Sequence, residues 1–126
     1  MTTVNTWSAG RESSHLDDIL LGKKTVEGRL ARGKFAQYAP GDVVYLRRDI
    51  RAQDGTLHDG EPDQARVRVL AVNRYLSFRE MLKKEGLNNV LPRANSLDEA
   101  VAEYERYYTR QEQATYGVLG IVIELL

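Results

Sequence analysis

The chain has 126 residues, no cysteine, and 18 basic against 18 acidic side chains. Disulfides and thiolate metal sites are therefore excluded. With no net charge there is no global field to hold nucleic acid non-specifically, so any such site must be local. At 42% apolar and 29% charged residues the composition is globular rather than disordered, and residues 1–126 are expected to form one domain around one core. The opening "MTTVNTWSAGRESS" lacks an apolar targeting core, and no run approaches the roughly 18 apolar residues of a membrane span. The expected location is the cytoplasm, with no membrane association.

After a short extended start, "SSHLDDILLGKK" has Leu16, Ile19 and Leu20 on one helical face. Ser13 or Ser14 suits the N-terminal cap, and Gly22 the left-handed stop. "TVEGRL" then alternates as a strand does, with Val26, Gly28 and Leu30 on one face and Glu27 and Arg29 on the other. Pro40-Gly41-Asp42 predicts a turn before a strand over Val43–Leu46. The polar stretch that follows predicts a long hairpin loop. In "ARVRVLAV" the alternation places Val67, Val69 and Ala71 together. Ser77 with Glu80 and Ser96 with Glu99 match the capping-box spacing and predict two helices, with an irregular link between them. The closing "YGVLGIVIELL" is apolar on both faces, as a central buried strand requires. The order β-α-β-β-β-α-α-β predicts an α+β fold: a small barrel of about five to six strands with helices packed outside.

The charges in "GKKTVEGRL" are the first candidate site. Glu27 and Arg29 share a strand face with side chains about 7 Å apart, and Lys24, in the preceding turn, can swing toward them. Arginine offers a bidentate fork and lysine a point charge. A carboxylate beside two cations stays ionised and accepts from a group such as an exocyclic amine. The plainer alternative is that these charges pair with one another on a solvated rim. Tyr75 and Tyr116 flank strand ends where they would line a barrel mouth and touch a ligand. Tyr104, Tyr107 and Tyr108 continue the stripe of Leu97, Ala100 and Val101 and are expected in the core. Arg47 and Arg48, with Arg66 and Arg68 on the returning strand, would form a basic stripe for a phosphate backbone. His15 and His58 have no partner at metal-ligand spacing, so no metal and no cofactor are expected. The phosphate-loop and G-x-S-x-G patterns are absent.

Gly22-x-Lys24-x-x-Glu27-x-Arg29 resembles the G-x-K-x-x-E-x-R signature of the ASCH domain, a PUA-like β-barrel family. The resemblance extends to "PGDVV", to "RVRVLAVNRYLSFREMLKKEG", and to "VLPRANSLDEAVAEYERYY" followed by "YGVLGIVIEL". It implies the PUA-like barrel and a role with RNA or nucleotides. Bacterial members are associated with hydrolysis of N4-acylated cytidine, through a lysine, a threonine nucleophile and a glutamate, and with RNA cleavage. Lys24 matches the motif lysine, whereas Glu27 occupies the threonine's position, and no counterpart of the catalytic glutamate follows Ser77.

Three functions follow. The first is an RNA- or nucleotide-binding domain holding its ligand through Lys24, Glu27 and Arg29. The second is a metal-independent hydrolase, acting as a ribonuclease or as a nucleoside amidohydrolase. In it Lys24 assists proton transfer and Glu27 activates water. The third is a protein-interaction domain that uses the loop over 47–64.

Overall fold

The computed structural model describes residues 4–126. Six strands and five helices run in the order β1 (Thr6–Glu12), α1 (Ser13–Leu20), β2 (Val26–Leu30), β3 (Val43–Arg51), β4 (Leu57–Asp59), β5 (Ala65–Tyr75), α2 (Phe78–Glu85), α3 (Leu87–Val90), α4 (Leu97–Glu105), α5 (Arg110–Tyr116) and β6 (Val118–Leu125). A 3₁₀ turn spans Gly33–Gln37. The strands make one sheet in the order β1-β3-β5-β6-β2, with β4 pairing off β3. Only β1 and β3 are parallel; the other ladders are antiparallel. The α+β class expected from the sequence is the one observed.

Apolar side chains divide between the two faces of this sheet. Ala9, Val44, Leu46, Val67, Val69, Leu119, Ile121 and Ile123 fill the concave face, closed by Leu16 and Ile19 of α1. On the other face Val26, Leu30 and Val118 meet Phe78, Met81, Leu82, Val90, Ala100 and Val101 from the helical layer. β6 lies between β5 and β2 and supplies both cores, which explains why it is apolar on both faces. Gly28 lets the helical layer approach β2 closely: a Cβ there would come within 2.7 Å of Met81 Cε and Tyr104 Oη.

The predicted strand and helix starts hold in outline, with several corrections. α1 begins without a side-chain cap, its N-cap position being Glu12; Ser13 Oγ instead accepts from Arg48 at 2.6 Å. Gly22 does adopt the left-handed conformation, at φ +74°. β3 continues to Arg51 and pairs with β4, so part of the predicted loop is a hairpin. A register shift between Val69 and Ala71 breaks the alternation of β5. Beyond this bulge Val72, rather than Ala71, packs on the concave core. Ser77 and Ser96 accept from Glu80 N and Glu99 N, but the reciprocal capping box belongs to Thr109 and Glu112, which start the unanticipated α5. The link between the two predicted helices contains the short α3.

The turn at Pro40-Gly41-Asp42 does more than start β3. The buried Asp42 carboxylate accepts from Asn5 N (3.1 Å), Trp7 Nε1 (2.9 Å) and Ala39 N (3.0 Å), tying the head of β1 to the turn. Burial raises its pKa, and these three donors more than offset that, leaving it below the ordinary aspartate value. Replacing Asp42 by Ala leaves Trp7 Nε1 and two backbone donors unpaired. The expected cost is about 2–3 kcal/mol of unfolding free energy, read as a lower urea midpoint with an unchanged denaturant slope.

Candidate functional site

The sheet path ends on β1 and β2, and no ladder joins these two strands among the described residues. Side chains span the gap instead. β1 alternates Trp7, Ala9 and Arg11 toward the interior, and β2 places Glu27 opposite Ile121 and Arg29 opposite Leu119, both concave-face residues. Arg11 Nε and Glu27 Oε2 lie 2.7 Å apart, and Arg29 Nε is 3.8 Å from the same oxygen. Arg11 and Glu27 are each 5% exposed. The 2.7 Å approach is an ion pair with poor hydrogen-bond alignment, because Arg11 Nε makes no hydrogen bond. Arg11 Nη1 donates to Gly10 O at 2.7 Å. Glu27 Oε1 and Arg29 Nε are also buried without partners.

Lys24 completes the group from the turn after α1. Its Nζ donates to Val26 O (3.0 Å) and Val90 O (2.5 Å), which brace β2 against α3. Among the described residues no carboxylate lies within 4 Å of it in an ion pair, yet it is 5% exposed. Burial lowers its pKa to about 8, with Glu27 opposing and Arg11 and Arg29 reinforcing that shift. For Glu27, burial raises the pKa, but the combined fields of Arg11, Lys24 and Arg29 win and hold it at about 2. Burial lowers the His15 pKa, and the neighbouring Lys24 adds to that effect, so the imidazole is neutral at pH 7.

These groups line a cavity of about 260 Å³ together with Gly28, Leu91, Tyr104, Tyr107 and Tyr108, and with Arg51 and Leu57 from the β3–β4 hairpin. Its inner end carries three cations against one carboxylate, so it favours an anion or an electron-rich oxygen. Tyr104 stacks on Phe78 with ring centroids 4.3 Å apart, and Tyr108 packs on the same ring at 5.3 Å. Tyr104 and Tyr108 thus join the helical core as expected and also wall the cavity, whereas Tyr107 is 51% exposed. A second cavity of about 300 Å³ adjoins the first. Among the described residues no three His, Asp or Glu side chains stand close enough to hold a metal ion.

The structure brings Lys24, Glu27 and Arg29 together and leaves the other predicted ligand contacts elsewhere. Tyr75 Oη donates to Glu85 Oε2 at 2.6 Å and packs in the helical core. Tyr116 lies under the Arg32 guanidinium. Neither tyrosine lines either cavity. Arg47 pairs with Asp49 and Asp59, Arg68 with Glu124, and Arg66 covers the Tyr45 ring. Arg48 projects from the opposite strand face to Asp17 and Ser13. The four arginines therefore do not make one stripe.

Sequence reasoning missed Arg11 and His15. The available signal was the Trp7-x-Ala9-x-Arg11 alternation, which puts an arginine in an inward register. Arg11→Met should lower stability by about 3 kcal/mol, because it strips the nearest counter-charge from a buried carboxylate. Arg11→Met with Glu27→Met should recover most of that loss. Chemical denaturation of the wild type, both single variants and the double variant checks this; additive losses would contradict it.

A family model of the ASCH domain matches residues 13–126. The crystal structure of the hypothetical protein PH0355 is 35% identical, with 96% of this chain and 99% of that chain covered and a TM-score of 0.80. The solution structure of PF0455 from Pyrococcus furiosus is 40% identical, with 96% and 97% covered and a TM-score of 0.74. An ASCH domain from Lactobacillus crispatus shares the fold at 12% identity, with 96% and 79% covered and a TM-score of 0.55. No functionally curated protein matched the sequence. Arg11 lies just outside the matched span, while every residue of the G-x-K-x-x-E-x-R signature lies within it. With the signature intact, the match covering nearly the whole length and the same fold in its relatives, this chain belongs to the ASCH domain family.

Proposed function

We propose that the chain binds RNA or a nucleotide in the cavity at the β1–β2 seam, with Lys24, Glu27, Arg29 and Arg11 as its polar contacts. The observation that carries this reading is the composition of the inner end: three buried or half-buried cations around one carboxylate, flanked by tyrosines. A nucleotide combines the features such a cleft selects. Its phosphate or carbonyl oxygens answer the cations, its amino group answers the carboxylate, and its base lies against an aromatic wall. Glu27 Oε1 and Arg29 Nε lack partners among the described residues, and each buried orphan costs about 1–3 kcal/mol. A ligand that supplies the missing partners recovers that cost once the carboxylate turns toward the opening.

The protonation states favour holding over proton abstraction. A carboxylate at about 2 is a weak base at neutral pH, far from the range in which a general base is efficient. Lys24, at about 8, is a proton donor poised near neutrality, and this one feature supports the hydrolase as the second reading.

The test is titration of wild type, Lys24→Ala, Arg29→Ala and Glu27→Gln with a panel of RNA oligonucleotides and ribonucleotides, with product formation followed in parallel. Each cation removed should weaken binding about tenfold or more. Glu27→Gln should retain most of the affinity. Equal binding by wild type and Lys24→Ala, or no binding by wild type, would overturn the reading. Product formed by wild type and lost in Glu27→Gln would establish the hydrolase instead.

The same titration has a pH signature. Lys24 titrates at about 8 in the fold and near 10.4 when unfolded. The unfolded chain therefore binds more protons in that window, and stability from this group rises between about pH 8 and 10.5. Affinity for an anion should fall over the same rise, as Lys24 loses its charge. For stability, Glu27 acts in the same sense at acid pH: its folded value is depressed, so its contribution is present above about 4.5 and is lost as pH falls toward 2. Binding curves across pH 6–10 should show the alkaline decline in wild type and not in Lys24→Met.

A further inference from the structure

The cavity of the proposed site does not end at its outer rim. Glu12, His15, Arg51, Leu91, Glu103 and Tyr107 line both it and the adjoining cavity, so the two share a wall and make one cleft. Their chemistry differs. The inner part is cationic, through Arg11, Lys24 and Arg29. In the outer part each arginine is already matched: Arg93 Nε–Asp18 at 2.9 Å, Arg51–Glu12 at 2.9 Å and Arg106–Glu103 at 3.2 Å. An outer compartment with its charges paired suits a neutral polar group rather than a second anion.

Two residues stand at the junction. Tyr107 is 51% exposed, with the Arg51 and Arg106 guanidinium carbons 5.9 and 5.6 Å from its ring centroid. A half-exposed ring with two guanidinium groups close by offers a base an aromatic surface in a cationic setting. Arg51 is the one cation common to both compartments. It is anchored by Glu12 and by its Nη1, which donates to Gly55 O at 2.6 Å.

Resting on the binding function proposed above, we propose that the cleft is built for a chain of at least two nucleotides rather than for a free nucleoside. The inner compartment takes one phosphate-bearing nucleotide, Arg51 meets the linking phosphodiester at the junction through the N–H groups that its bonds to Glu12 and Gly55 leave over, and Tyr107 stacks the neighbouring base in the outer compartment. The ligand class is single-stranded oligonucleotide, because a paired base offers no free face to Tyr107.

The experiment compares 5′-phosphorylated ribodinucleotides with the matching ribonucleoside 5′-monophosphates, by calorimetry at fixed salt, on wild type, Tyr107→Ala, Tyr107→Phe and Arg51→Gln. Wild type should bind the dinucleotide about tenfold more tightly than the mononucleotide. Because Tyr107 borders both compartments, Tyr107→Ala should lower dinucleotide affinity several-fold more than mononucleotide affinity and so shrink that difference, and Tyr107→Phe should keep it. Arg51→Gln should lower dinucleotide affinity and flatten its salt dependence. Equal affinities for the two ligands in wild type would overturn the two-nucleotide cleft and leave the inner site standing. So would Tyr107→Ala weakening both ligands alike. Failure of both ligands to bind wild type would overturn the inner site as well.

Discussion

The ion pair between Arg11 and Glu27 stands where a sheet would otherwise need a ladder. The strand path ends on β1 and β2, and across that seam the contact is a guanidinium against a carboxylate at 2.7 Å, both almost fully buried. Burying such a pair is expensive, and an apolar pair of similar volume would often be at least as stable. Its presence at the seam therefore fits a requirement for a charged interior. Once Glu27 is held ionised by Arg11, its field favours the charged forms of Lys24 and Arg29 and lowers the cost of bringing them in beside it.

The rest of the architecture supports that group from outside. The helical layer packs on the opposite face of β2, and Gly28 lets Met81 and Tyr104 come close behind Glu27 and Arg29. Lys24 joins the turn after α1 to α3 through the Val90 carbonyl, while Asp18 holds Arg93 by a bidentate contact. The polar groups thus hang on short, well-braced segments. Rigid support of this kind keeps unpartnered polar atoms at Glu27 and Arg29 from collapsing onto one another. The tyrosines of α4 and the residues following it close the cavity on the side away from the sheet.

Much of this was legible from residue order. The alternation in "TVEGRL" places Glu27 and Arg29 on one face, and the structure puts that face inward. The continuous apolar run at the end marks β6 as central. What the alternation could not tell is which face is the concave one, and so how deeply the charges are buried. Arg11 escaped notice because an isolated arginine near a chain start looks solvated until its register with Trp7 and Ala9 is followed. The bulge in β5 is invisible to a period of two, since one extra residue at Leu70 reverses every later side chain. Thr109-x-x-Glu112 carries the same capping spacing as Ser77 and Ser96, but only a seven-residue helix follows, too short for an apolar stripe to announce it. Proximity in sequence to strand ends points Tyr75 and Tyr116 toward the cleft, whereas the Glu85 carboxylate and the Arg32 guanidinium hold them away from it.

The central claim is that the cationic seam, and not another basic face, is where ligand engages. The most direct measurement is a backbone amide NMR titration of the isotope-labelled protein with a short single-stranded RNA. The account predicts shifts concentrated at residues 10–12, 24–29 and 104–108. Shifts concentrated instead around Arg47, Arg66 and Arg68, with the seam unchanged, would contradict it.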